Sequence, residues 1–186
     1  MTILHPWEIV STSILGDYYI FRMRQDVRTS PRSGRQHNFY VLEAPDWINI
    51  IPVTPAGEIV MVRQFRHGTA EFTLEVPGGM VDPGEELLAT ARRELLEETG
   101  YTAERMIPLG AVSPNPAFLN NRCHTFLALD ATPAGPQDLG EGEDISIELV
   151  PEEAIAAYIA DGRISHALVI AAFYFYRMQY QSNPTP

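Results

Sequence analysis

The chain has 186 residues, 45% of them hydrophobic, with one cysteine, a net charge of −11 and a pI near 4.8. That length fits one domain with a small appended element. The acidic balance argues against a general nucleic-acid binder, which needs a basic face, and against adhesion to anionic membranes. The lone Cys123 rules out an internal disulfide, suits a reducing cytoplasm and reads as a small buried strand residue. No N-terminal signal-peptide pattern is present. No apolar run approaches the roughly 20 residues of a membrane span, and Ala167–Phe175 stops short of Arg177.

In chain order, residues 7–15 read as a strand, Gly16-Asp17 as a turn and Tyr18–Val27 as a second strand. After a polar loop, His37–Ala44 reads as their partner. Three such strands are barely self-sufficient, so this antiparallel sheet, residues 1–45, is expected to form a dimer. Trp47–Val53 and Glu58–Phe65 read as a hairpin, and Phe72–Val76 as a short strand leading into Pro77-Gly78-Gly79. Further strands are predicted at Ile107–Val112, Arg122–Leu129 and Asp144–Val150, with the loop Ser113–Asn121 between the first two. Asp130–Gly142 reads as a mobile acidic loop. Pro151–Ala160 reads as a helix with proline in its first turn, and Ser165–Gln179 as a second helix capped by Ser165. Interleaved helices and short strands point to an α/β (α+β) sandwich with helices flanking a mixed sheet.

The chemistry concentrates in Gly79–Tyr101. Glu94, Glu97 and Glu98 are three and four residues apart, so they share one side of a helix, where like charges repel. A hard divalent cation reverses that sign, because Mg²⁺ takes carboxylate oxygens together with substrate phosphates. Arg93 lies four residues before Glu97 and can pair with it. Glu85 and Glu86 suit the helix start and Gly100 its end. Leu88, Ala91 and Leu95 form the apolar stripe expected to dock the helix. The two glycines at Gly78 and Gly79 permit close backbone approach to a ligand. The five histidines show no ligand spacing for zinc, and no G-x-S-x-G elbow suggests a serine hydrolase.

This stretch resembles the signature of the Nudix hydrolases, G-x5-E-x7-R-E-U-x-E-E-x-G-U. Gly79, Glu85, Arg93, Glu94, Leu95, Glu97, Glu98 and Gly100 match in register, and Tyr101 takes the last apolar position. The resemblance implies an α-β-α sandwich over residues 46–186 and metal-dependent hydrolysis of a nucleoside diphosphate linked to another moiety. It makes Glu94 and Glu98 metal ligands, the Gly78 carbonyl a further ligand candidate, Glu97 a metal-proximal acid, and Arg93 the partner that holds Glu97. Mg²⁺ is the implied cofactor, with Mn²⁺ able to substitute.

Features outside the box resemble the ADP-ribose pyrophosphatase branch. They are Pro116, fifteen residues past Tyr101; the preceding strands, which imply a homodimer; the run Val62–Arg66; and Glu141-Gly142-Glu143-Asp144. By that resemblance Glu141 is the general base and Glu143 an extra metal ligand. Arg63 and Arg66 are diphosphate or ribose contacts, and Glu75 is a substrate-hydroxyl acceptor or a helix partner. Ser113–Asn121 lacks the acid often found in that loop, so the terminal sugar is left open. Asn120 and Asn121 either read sugar hydroxyls or close a turn. The leading expectation is a cytoplasmic enzyme that converts ADP-ribose to AMP and ribose 5-phosphate. Hydrolysis of another nucleotide sugar, such as ADP-glucose or GDP-mannose, and a non-catalytic nucleotide-binding regulator are the alternatives.

Overall fold

The structure is a computed structural model that describes residues 3–181. It divides into two compact units, Met1–Pro45 with Ser113–Arg122, and Asp46–Val112 with Cys123–Pro186. In the first unit β1 (Glu8–Asp17), β2 (Arg22–Thr29) and β3 (Gln36–Glu43) form an antiparallel meander. The turn predicted at Gly16-Asp17 lies further on. A bulge between Ile14 and Gly16 lets β1 continue until Asp17 pairs with Arg22, and Tyr18 N–H then donates to the Phe21 carbonyl at 2.9 Å. Fully buried Asp26 ties the sheet together by accepting from Thr12, Arg24 and Arg28. Burial pushes its carboxyl up, but these donors outweigh that and hold it below the usual range. The segment 113–122 joins β3, with Leu42 N–H donating to the Phe118 carbonyl at 2.7 Å.

The second unit is built on a mixed sheet. Its strands are β4 (Trp47–Val53), β5 (Glu58–Arg66), β6 (Glu71–Glu75), β8 (Arg105–Val112), β9 (Cys123–Leu129) and β11 (Ile145–Pro151), in the order β11-β5-β4-β9-β8. β6 pairs with the outer half of β5, whose inner half meets β4 at Val53 and Ile59. β4 and β9 run parallel; β8 and β9 are antiparallel. A two-residue ladder joins β7 (Tyr101–Thr102) to β10 (Thr132–Pro133).

Alternation along the central strands produces two apolar faces. Ile48 and Ile50 of β4, with Phe126 and Ala128 of β9, pack against α1 (Leu87–Thr99) through Ala91 and Leu95. Ile51, Val53, Leu127 and Leu129 point the other way. There they meet α2 (Ile155–Ala160) and α3 (Ala167–Tyr176) through Ile155, Val169, Ala172 and Phe173. Helices on both faces of the mixed sheet give the expected α-β-α sandwich.

Three local expectations are corrected. Leu88 is 42% exposed. The docking stripe is half-buried Leu87 with buried Ala91 and Leu95, spaced by four, and one residue further along a helix turns a side chain by about 100°. Pro151 does not start a helix. It closes β11 opposite Glu58 with an extended ψ of 133°, and a 3₁₀ turn begins at Glu152. Ser165 does not cap α3, because extended His166 holds that position and its carbonyl accepts from Val169 and Ile170, both at 3.1 Å. Among the described residues no helix is long and apolar enough to cross a membrane.

Candidate active site

The glycine strap places the box helix. Ile50 N–H donates to the Pro77 carbonyl at 2.8 Å, and Ile48 N–H to the Gly79 carbonyl at 2.9 Å. Gly78 lies between these two in the alternation, so its N–H faces away from β4 and donates to Glu98 Oε2 at 2.8 Å. The approach requires glycine. A Cβ on Gly78 would come within 2.0 Å of the Ile48 carbonyl oxygen, and one on Gly79 within 2.4 Å of a Glu94 carboxylate oxygen.

Glu94 and Glu98 sit one turn apart on the strap side of α1, with Glu98 only 4% exposed. Burial pushes the Glu98 carboxyl up to about 8; the Gly78 N–H opposes this, and the charges of Glu94 and Glu143 add to it. Glu94 is raised as well, by burial first. Arg93 offsets part of the repulsion. Its Nε and Nη2 hold Glu85 at 3.1 and 3.0 Å, and its Nη1 holds Glu94 at 2.8 Å and Glu97 at 2.9 Å. That grip, with a bond from the Thr90 hydroxyl, draws the Glu85 carboxyl down to about 2. Glu97 is half-buried and lies on the Arg93 side of the cluster.

A cavity of about 750 Å³ opens beside the strap. Its wall includes Gly78, Gly79, Arg66, Glu75, Glu143 and His166. Its size and convergent polar groups suit a nucleotide-sized ligand. Glu75, 2% exposed, is the hub of this wall. Its Oε1 accepts from Arg66 Nε at 2.7 Å and from the Thr73 hydroxyl at 2.6 Å. Its Oε2 accepts from Arg66 Nη2 at 2.7 Å and meets His166 Nδ1 at 3.0 Å. Burial raises the carboxyl, but Arg66, His166 and Thr73 more than reverse this and hold it well below the carboxylate range. Four bonds from three residues fill about four acceptor sites, so Glu75 orients its neighbours.

The other sequence candidates lie as follows. Arg63 pairs with Glu148 across β5 and β11 at 2.8 Å, outside the cavity wall. Glu143 reaches the wall from a turn that its own carboxylate closes by accepting Gly140 N–H at 2.8 Å. Glu141 is exposed on the crest of that turn. Pro116 occupies an exposed turn of the first unit. In the same unit Asn120 Oδ1 accepts from Ala44 N–H at 3.1 Å and Asn121 Nδ2 donates to the Pro45 carbonyl at 2.8 Å, so both amides tie this segment to the end of the β3 stretch across 76 positions and close no local turn.

Sequence reasoning missed two residues. His166 joins Glu75 across 91 positions, and Gln137 joins the end of α1 across 39. Neither carried a local signal beyond its residue type.

Among the described residues no three His, Cys, Asp or Glu side chains close around one point as a ready-made metal cage. The donor set nonetheless fits a hard divalent cation. It consists of two buried like-charged carboxylates, an exposed third from Glu143 and a carbonyl, all oxygen. Mg²⁺ is usually held by one or two carboxylates and completed by substrate and water.

A helix whose buried glutamates pack against a glycine strap on the wall of a nucleotide-sized cavity defines a hydrolase site of the diphosphate-cleaving kind. The NUDIX domain model matches residues 45–173, and the chain belongs to the Nudix family. It is 34% identical over 125 residues to an ADP-ribose pyrophosphatase of Bacillus subtilis, covering 66% of this chain and 68% of that one. It is 30% identical over 169 residues to an ADP-ribose pyrophosphatase of Mycobacterium tuberculosis, covering 90% and 81%. A methanol dehydrogenase activator of Bacillus methanolicus is 31% identical over 150 residues, covering 79% and 80%. Among solved structures, an ADP compounds hydrolase superposes with a TM-score of 0.87 over 99% of both chains at 20% identity, a likeness of fold.

Proposed function

We propose that this chain is a pyrophosphohydrolase that cleaves the diphosphate of ADP-ribose to AMP and ribose 5-phosphate, with Mg²⁺ as cofactor and Mn²⁺ able to replace it. The observation that carries the reading is the buried pair Glu94 and Glu98 directly behind Gly78 and Gly79 of the cavity wall, with Glu98 raised to about 8. Such crowding stabilises no fold by itself and is relieved when a cation is bound. The relatives named as ADP-ribose pyrophosphatases support the choice of substrate.

Glu94, Glu98, Glu143 and the Gly78 carbonyl would hold the cation. A bound divalent ion supplies Lewis acidity toward diphosphate oxygens and makes water a better nucleophile. Arg93 keeps Glu94 and Glu97 aligned by bonds to both. Arg66, fixed by Glu75, presents its exposed guanidinium edge to the substrate's phosphate or ribose, which suits its planar donors. Glu141, two residues from Glu143, takes the proton from attacking water once the loop draws it inward. Arg63 and Pro116 belong to the substrate surface in this reading.

A cytoplasmic homodimer completes the proposal. The first unit leaves Ile9, Ile14, Leu15 and Tyr40 exposed on its sheet and Tyr18 and Ile20 exposed in the turn between β1 and β2, which supports burial against a second copy. Sedimentation at micromolar concentration is expected to give twice the chain mass, and a monomer would reject this part. For activity, a panel of ADP-ribose, ADP-glucose, GDP-mannose, NADH and dinucleoside polyphosphates is assayed with and without Mg²⁺. Fastest Mg²⁺-dependent turnover of ADP-ribose is expected. Preference for another nucleotide sugar would move the substrate, and no turnover of any member would favour a regulatory binding module.

A further inference from the structure

The last carbonyls of a helix have no partner within it. In α1 they are met by the stretch between β10 and β11. Gly100, left-handed at φ 69°, donates back to the Leu96 carbonyl at 2.7 Å and accepts from Ala134 and Gly135 N–H at 2.8 and 3.1 Å. Asp138 N–H donates to the Glu97 carbonyl at 2.9 Å. The Glu98 carbonyl accepts from the side chain of Gln137, whose Nε2 lies 2.5 Å away. The same nitrogen lies 3.2 Å from the carbonyl of Ile145, the first residue of β11. An amide nitrogen carries two hydrogens, and both are used. One side chain therefore binds the helix end and the first residue of β11, so the loop from Asp138 to Asp144 leaves and returns at a single point.

That loop carries the acidic turn. Gly140 and Glu143 bond to each other twice, N–H to carboxylate at 2.8 Å and N–H to carbonyl at 3.0 Å, which leaves a small preformed turn on a clasped base. Glu143 lies on the cavity wall, near enough to Glu94 and Glu98 for its charge to act on both. The Gln137 amide thus connects the main chain of Glu98 to the segment that delivers Glu143.

We propose that Gln137 is a positioning residue that acts through Glu143, holding the acidic turn at the Glu94–Glu98 cluster by clasping both roots of its loop. The inference rests on the reading of Glu143 as part of the metal site. Gln137→Met keeps length and volume and removes both donors; Gln137→Glu keeps the shape and faces two carbonyls with acceptors.

The test is a cycle of Gln137→Met, Glu143→Gln and the double variant, assayed on ADP-ribose across a Mg²⁺ titration. Amide hydrogen exchange of residues 134–144 is followed in the metal-free proteins. Gln137→Met is expected to exchange that segment about tenfold faster, to lower kcat about tenfold and to raise the half-saturating Mg²⁺ several-fold, the size of one or two lost hydrogen bonds. Gln137→Glu is expected to lose at least as much. In the Glu143→Gln background the Met substitution is expected to cost no further activity. If Glu143→Gln by itself changes neither turnover nor Mg²⁺ dependence, the reading of Glu143 falls and this inference falls with it. If Glu143→Gln is impaired while Gln137→Met is not, or if the two losses multiply in the double variant, this inference alone is overturned.

Discussion

Replacing Glu98 with glutamine separates the charge of the site from its shape. The amide oxygen can still accept the Gly78 N–H, so the strap is kept while a buried negative charge is removed. In the wild type the carboxyl sits at about 8 against an ordinary 4.5, raised first by burial and then by Glu94 and Glu143. A group held above its unfolded value stabilises the fold fully below pH 4.5 and loses that contribution as pH rises toward 8. At about 1.4 kcal/mol per pH unit the interval caps the loss near ~5 kcal/mol, and relaxation reduces it to a few kcal/mol. The metal-free wild type is therefore expected to weaken between pH 4.5 and 8, and Glu98→Gln to stay nearly level across that window. At pH 8 the variant is expected to melt several degrees higher, at about 2–4 °C per kcal/mol for a chain of this length. Calorimetry in chelator, then with Mg²⁺, reads both terms. Mg²⁺ is expected to raise the Tm of the wild type by mass action and that of the variant much less. Turnover by the variant is expected to be lost. A variant less stable than wild type at pH 8, or one with the same pH slope, would refute the reasoning.

Gly79→Ala places a methyl within 2.6 Å of the Glu94 carboxylate; kcat is expected to fall by about 10²-fold with a stability loss of only about 1 kcal/mol, read by kinetics and melting. Glu75→Gln breaks the hub that holds Arg66 and His166; KM is expected to rise more than kcat falls, with about 1–3 kcal/mol lost in denaturant unfolding, tempered by the exposure of Arg66. Glu85, drawn down to about 2 chiefly by Arg93, contributes stability that is present above pH 4.5 and lost as pH falls toward 2. The stability gap between wild type and Glu85→Gln is expected at neutral pH and should close between pH 4.5 and about 2.

What was legible in the sequence lay in local periodicity. Glu94, Glu97, Glu98 and Arg93 are tied by helical spacing, and their meeting follows from α1 alone. The short apolar runs Trp47–Val53 and Arg122–Leu129 read as strands, and they are apolar throughout because each is covered on both faces by helices. What was not legible depends on partners distant in sequence. Nothing near Gln137 indicates that its amide reaches Glu98, nor near His166 that it reaches Glu75. Ser113–Asn121 reads as a loop, yet bonds to Leu42 and from Asn120 to Ala44 bind it into the first unit. The slip at Leu88 has the same origin. Periodicity establishes that a stripe exists, whereas the sheet decides which adjacent residue completes it.

The most direct test of the account is phosphorus NMR of ADP-ribose incubated with the protein and Mg²⁺, with Glu98→Gln as the control. The account expects the diphosphate resonances to give way to AMP and ribose 5-phosphate in equal amounts, with no orthophosphate, and no change with the control or in chelator. An unchanged diphosphate with the wild type, orthophosphate as the first product, or equal turnover by Glu98→Gln would contradict it.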